Sequence, residues 1–259
     1  MGHPTSRWPN QMSPGGLFGL GQSQSGTAAH MLLGQQPLGS LGSPTPTAPA
    51  AAHVNRRAFF SFHFDDVLRV NNVRKRYQFV EAGEDQKPRF FDSSLWEEKK
   101  LTNPEAIKNL IRYGVGHTSA VCVLVGSGTW AREWVRYEIA RAVIDNRGLL
   151  AVHLNGINHH TGRGADPLGP NPLDYMGLYR SDSGILQTPT WHLCEWDGAA
   201  WVGYRHHTKA VARPAYLPDA LPGQVVQLSR GTAAYCYASQ FGSTLIGKWI
   251  DHAAKVVGR

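Results

Sequence analysis

From Ala58 onward the chain alternates short apolar runs with stretches in which apolar residues recur every third or fourth position. The runs are Ala58-Phe-Phe-Ser-Phe62, Pro88-Arg-Phe-Phe91, Ser119-Ala-Val-Cys-Val-Leu-Val125 and Leu149-Leu-Ala-Val-His-Leu154. They are too short for ordinary helices and predict strands. Between them Val67, Val70, Val73 and Tyr77 form one helical stripe, Ile107, Leu110 and Ile111 a second, and Val135, Ile139, Ala142 and Val143 a third. Asn103-Pro104 opens the second helix with a capping residue and a proline at the first helical position. Gly114 and Gly116 are expected to end it. The third helix is predicted from about Trp130 to Asn146, with Gly148 as its stop. Strands apolar throughout that alternate with helices predict an α/β fold, a mostly parallel sheet with helices on both faces.

The pattern changes after Leu154. Asn155 to Asp174 is rich in Gly, Pro, Asn and His, as a long loop would be, and reads equally as a lid or an inert connection. Thr190 to Trp196, then Asp197-Gly198, then Ala199 to Tyr204 predicts a β-hairpin around an Asp-Gly turn. Ser239 to Val257 predicts a last helix with Leu245, Trp249 and Ala253 on one side. Upstream, Met1 to Ala52 contains no Asp or Glu and is full of Gly, Ser, Pro, Gln and Ala. Such a segment buries too little apolar surface to offset its ordering entropy, so residues 1–55 are expected to be a disordered tail. An over-extended gene start is the other reading, with Met12 and Met31 as later starts.

Composition narrows the partners. The balance of 26 Lys+Arg against 19 Asp+Glu gives +7, but the basic residues are scattered apart from Arg56-Arg57 and Arg74-Lys75-Arg76. A solvated surface charge explains this better than a nucleic-acid interface. Cys122, Cys194 and Cys236 are far apart and lack CxxC spacing, which excludes a zinc knuckle and suits a reducing cytoplasm. No run approaches the ~18 apolar residues of a membrane span, and no signal peptide is recognisable, so neither membrane nor export is expected. His159-His160 and His206-His207 lack ligand-spaced partners, so no metal site is expected. Walker A, GxGxxG and GxSxG motifs are absent.

The candidate chemistry sits in Ser127-Gly-Thr-Trp-Ala-Arg-Glu-Trp-Val-Arg-Tyr-Glu-Ile139. It follows the most apolar strand, and ligands of open α/β sheets bind at the carboxyl ends of strands. Glu138 is thereby placed near a pocket, with Glu133 as a surface partner. These residues resemble a TIR domain. The opening strand of that family reads Phe-Ile-Ser-Tyr with a following Asp, here Phe59-Phe60-Ser61-Phe62 and Asp66. Its third helix carries Trp-Cys-x-x-Glu, here Trp134-Val135-Arg136-Tyr137-Glu138, with Val in the Cys position. Phe59-Phe-Ser-Phe-His63, Phe91-Asp-Ser-Ser-Leu-Trp-Glu97, Trp134-Val-Arg-Tyr-Glu-Ile139 and Gly169-Pro-Asn-Pro-Leu-Asp-Tyr175 resemble the TIR-like family that includes ThsB of the bacterial Thoeris anti-phage system. The resemblance covers roughly 56–205, leaving 206–259 as a C-terminal extension, and implies a flavodoxin-like order of strands.

It also implies an enzyme that cleaves the nicotinamide–ribose bond of NAD+ and closes the remainder into a cyclic ADP-ribose-type signal. NAD+ would be the substrate, with no further cofactor. The signal would act on a separate effector, as with ThsA, and the protein could assemble with copies of itself. Glycosidases use two carboxylates because their leaving group needs a proton. Nicotinamide in NAD+ is already cationic at the nitrogen bonded to ribose and leaves as a neutral molecule, so one carboxylate could suffice to hold the ribose and stabilise the oxocarbenium-like transition state. Glu138 occupies the family's catalytic position. Phe62, His63, Asp92, Ser94, Trp96 and Arg136 are the candidate substrate contacts. Phe62 and Trp96 equally suit core packing, His63 loop capping and Arg136 an exposed ion pair. Asp66 reads as the N-cap of the helix after it. A phospho-receiver protein would share the fold, with Asp92 as acceptor, but the lysine it needs on a later strand is missing. The competing reading is a non-enzymatic TIR-like interaction module that carries Glu138 incidentally.

Overall fold

A computed structural model describes residues 7–8, 56–81, 90–92, 103–158, 164–182 and 188–259, with the backbone alone at 7–8, 78–81, 90 and 92. After a two-residue strand β1 (Arg7–Trp8), the expected alternation appears. It comprises β2 (Ala58–Phe62), α1 (Val67–Glu81), β3 (Phe90–Asp92), α2 (Pro104–Gly116), β4 (Ala120–Val125), α3 (Glu133–Ile144) and β5 (Gly148–His153). Asn103 caps α2 as predicted, its side chain accepting from the Glu105 N–H at 3.0 Å. The helix does not stop at Gly114 but runs through it to Gly116, with the Phe59 ring packed against Gly114. The third helix begins at Glu133, not Trp130, because a 3-10 turn over Thr129–Ala131 comes first. Asn146, at a φ of 48°, ends it in the left-handed conformation common after helices.

The parallel sheet has five strands in the order β3-β2-β4-β5-β11, the last being β11 (Ala233–Cys236). In chain order within the sheet this is 2-1-3-4-5, the flavodoxin-like arrangement, whose direction reverses between β2 and β4. Successive side chains of a strand face opposite ways, so each strand feeds two cores. Ala58, Phe60, Phe62, Cys122, Leu124, Leu150 and Val152 pack with α1 and with α4 (Gly242–Val256). Phe59, Val121, Val123, Leu149 and Ala151 pack with α2 and α3.

The sheet therefore does not close at residue 205. The expected C-terminal extension supplies its fifth strand and one of the two helices covering the α1 face. At Gly148, a side chain would run into the backbone of Ala253 and Ala254 in α4. That glycine admits the last helix onto β5 and is not chiefly the stop of the third. Between β5 and β11 lies an antiparallel sheet. Its strands are β6 (Met176–Asp182), β7 (Pro189–Trp196), β8 (Trp201–Gly203), β9 (Ala210–Val211) and β10 (Val225–Gln227). The order is β1-β8-β7-β6-β10, with β9 also on β7. The Asp-Gly hairpin forms, with Asp197 Oδ1 accepting from Ala199 N–H at 2.8 Å and Ala200 N–H at 2.7 Å, and Gly198 at a φ of 106°. Leu178, Trp191 and Leu193 turn one face of this sheet into the core shared with α3.

The tail expected to be disordered over residues 1–55 differs at Arg7–Trp8, which pair antiparallel with Val202 and Trp201 at the free edge of β8. Unpaired strand edges offer backbone groups that a passing segment can satisfy. Its other residues lie outside the described ones. Among the described residues no helix is long and apolar enough to cross a membrane, and no cluster of His, Cys, Asp and Glu could hold a metal.

Candidate active site at the switch point of the sheet

Three segments meet where β2 and β4 end. The first is His63 with the 3-10 turn Phe64–Asp66 that leads into α1. The second is the turn Gly126-Ser127-Gly128 leading into α3, closed by the Gly126 N–H donating to Thr129 Oγ1 at 2.9 Å. The third is the stretch around Gly169, so close to this turn that a side chain there would strike the Gly126 carbonyl. The described part of the long loop is thus anchored beside the site, and its Asp166 pairs with Arg69 of α1 at 2.5 Å.

Glu138, in the second turn of α3, is fully buried. The Ser61 hydroxyl of β2, equally buried, donates to its Oε2 at 2.5 Å. That length suits a hydroxyl bound to a carboxylate. His63 is also buried, beside Gly128 of the β4–α3 turn, with its Nδ1 3.5 Å from Arg132 Nη2 and 3.4 Å from Asp65 Oδ2. Burial, and then the Arg132 charge, hold its pKa below the ordinary imidazole value against the opposing pull of Asp65 and Asp66. His63 is accordingly neutral at pH 7. Its carbonyl accepts from the Asp66 N–H at 2.9 Å, so it also caps the turn.

The other expected contacts separate. Phe62 is the neighbour of Ser61, so the pleat sends it to the opposite face of the sheet from Glu138. There it packs among the α1 and α4 residues with the Arg74 guanidinium 4.8 Å from its ring centre. Arg136 is two residues from Glu138 on α3, about 200° around the helix. It reaches the antiparallel sheet instead, its Nη1 3.0 Å from Glu195 Oε2 and 3.4 Å from the Trp196 carbonyl. Asp92 ends β3 one strand away from the crevice, paired in register with Phe60. Ser94 and Trp96 lie outside the described residues.

Asp66 is not a side-chain cap of α1. It is buried, with Oδ1 2.6 Å from Arg69 Nη2, and its carboxyl lies against Gly126, where any side chain would collide with it. Burial pushes its pKa up, opposed by Arg69. Ser61, Arg132 and the Arg69 pairs are the contributors that sequence reading passed over. Ser61 carries one visible signal, a lone hydroxyl in an otherwise apolar strand.

This geometry coincides with two similarities. Residues 59–159 match the family model described as Thoeris protein ThsB, TIR-like domain. A Bacillus cereus (strain MSX-D12) protein named "Putative cyclic ADP-D-ribose synthase ThsB1" is 36% identical over 203 residues, which span 76% of this chain and 99% of the relative. The chain belongs to the Thoeris ThsB family. The family match begins at Phe59 in β2 and ends beyond β5, so it contains Ser61, His63 and Glu138. The last strand and helix of the parallel sheet fall outside that match, although they complete the fold of this ThsB-family chain.

Proposed function

We propose that this chain cleaves NAD+ at its nicotinamide–ribose bond and closes the ADP-ribose portion into a cyclic nucleotide that signals phage infection. The observation that carries the proposal is the Glu138 carboxylate, buried at the switch point and held by Ser61, in a member of the ThsB family. The name of the Bacillus cereus relative supports the product class.

In the reaction the C1′–N1 bond breaks and its electron pair returns to the nicotinamide nitrogen, which leaves uncharged. The ribose carbon becomes oxocarbenium-like beside the negative charge of Glu138, which also accepts from ribose hydroxyls. An adenine nitrogen or a hydroxyl of the same molecule attacks C1′, and a proton is released, giving nicotinamide, the cyclic product and H+. Water attack would give linear ADP-ribose. A carboxylate withdrawn from bulk water suits ring closure, because water is the competing nucleophile. Neutral His63 serves to bond a hydroxyl or phosphate at the same crevice, and Asp92 stands at the adjoining strand end. No cofactor beyond the substrate is needed for this step. The nucleotide would pass to a separate effector protein in the cytoplasm, a compartment that suits the free cysteines Cys122, Cys194 and Cys236.

The test is incubation of the purified chain with NAD+, alone and with lysate of phage-infected cells, with products read by mass spectrometry. The expected result is nicotinamide and a cyclic ADP-ribose isomer from the wild type and neither from Glu138→Gln, at unchanged Tm. Absence of nicotinamide from the wild type in both conditions would overturn the enzyme reading and favour an interaction module.

A further inference from the structure

We propose that Ser61 is a positioning residue: its hydroxyl fixes the Glu138 carboxyl group in the orientation from which that group acts on the ribose. This rests on the reading of Glu138 as the catalytic group.

Packing alone does not call for a hydroxyl at this position. Ser61 lies in a strand that is buried along its whole length, and its partner in register on β4 is Val123. The preceding residue facing α2 and α3 is Phe59. An apolar side chain would continue this face, whereas a buried hydroxyl without a partner would be unfavourable. Its hydroxyl donates not to backbone but to the carboxylate from α3, at 2.5 Å. The bond thus ties the first strand of the switch point to the helix that follows the third.

The carboxyl group needs such a tie. The terminal torsion of a glutamate is broad, so packing of the stem does not by itself set the plane of the two oxygens. A donor from a rigid strand does set it. Orientation errors of about 1 Å at a reacting centre lower rates by roughly 100-fold. Ser61 touches Glu138 and acts through it, so its removal is expected to slow turnover rather than weaken NAD+ binding.

Steady-state nicotinamide release by the full-length chain, under whichever condition activates it, tests this. Ser61→Ala is expected to lower kcat roughly 10- to 100-fold, with KM for NAD+ within about twofold and Tm within a few degrees of wild type. Ser61→Thr, which keeps the hydroxyl, is expected to recover most of the loss. Should the threonine variant fail to fold, Ser61→Cys, a weaker donor of similar size, is expected to fall between Ala and wild type. Unchanged kcat in Ser61→Ala overturns the proposal, as does a folded Ser61→Thr no faster than Ala. A fall confined to Tm or KM would show a structural role and overturns it too. These outcomes differ from failure of the underlying reading, in which wild type is inactive or Glu138→Gln matches it.

Discussion

Ser61 and Phe62 are neighbours in β2, yet the pleat turns one toward α3 and the other toward α1. The same rule of orientation separates Glu138 from Arg136 on α3. Arg136 and Glu195 are mostly buried, with side chains 17% and 15% exposed, so their pairing belongs to the contact between α3 and the antiparallel sheet. A double-mutant cycle on Arg136→Ala and Glu195→Ala is expected to give a stability coupling of about 1.5–3 kcal/mol, the range of hydrogen bonds to charged groups. Their effect on KM for NAD+ is expected to stay within about twofold. A large rise in KM for Arg136→Ala alone would return this arginine to the substrate. At this scale the sequence offered residue types and spacing. Which of several polar residues meet depends on which face each occupies, and the motif does not carry that.

Strands β2, β4 and β5 were legible because each is a short, predominantly apolar run, and α2 because its cap is spelled out by Asn103-Pro104. Strand β11 was not legible. It is four residues long and only partly buried, and it pairs with β5 from some eighty residues away. Helix α4 was visible as a periodic segment, but nothing local tied it to the sheet. Its Ile246, Trp249 and Ile250 cover Leu150 and Val152. Burying such side chains contributes roughly 1.5–3 kcal/mol each, and whole domains are stable by only roughly 5–15 kcal/mol. A chain ending before Gly242 is therefore expected to lose its cooperative thermal transition, measured by circular dichroism. A truncated chain that melts like the full one would show α4 to be dispensable.

Across the molecule, one buried imidazole and two partly buried ones link stability to pH. Burial lowers the pKa of His63, His153 and His207 below the ordinary 6.5, with Arg132 adding to the effect at His63 and Arg141 and Lys209 at His207. Each then binds more protons unfolded than folded below that value, so stability falls as pH drops through about 6.5. Asp66, whose pKa burial raises above 3.8, acts in the opposite direction in the carboxylate range. The expected result is a lower Tm at pH 5.5 than at pH 7.5, measured by scanning calorimetry. A Tm that stays flat or rises toward pH 5.5 would contradict it. Replacing His63 with Asn is expected to shrink the difference.

By itself the sequence determined the alternation of strands and helices, the turn before the third helix and the place of Glu138 on that helix, because periodicity, caps and motif spacing are local. Only the tertiary structure decided that residues 233–256 complete the sheet, that Phe62 belongs to the core and that Arg136 serves the antiparallel sheet. It also decided that a strand serine grips Glu138. Those outcomes depend on which face a side chain occupies and which distant segment packs against it, and both are fixed only when the two cores close.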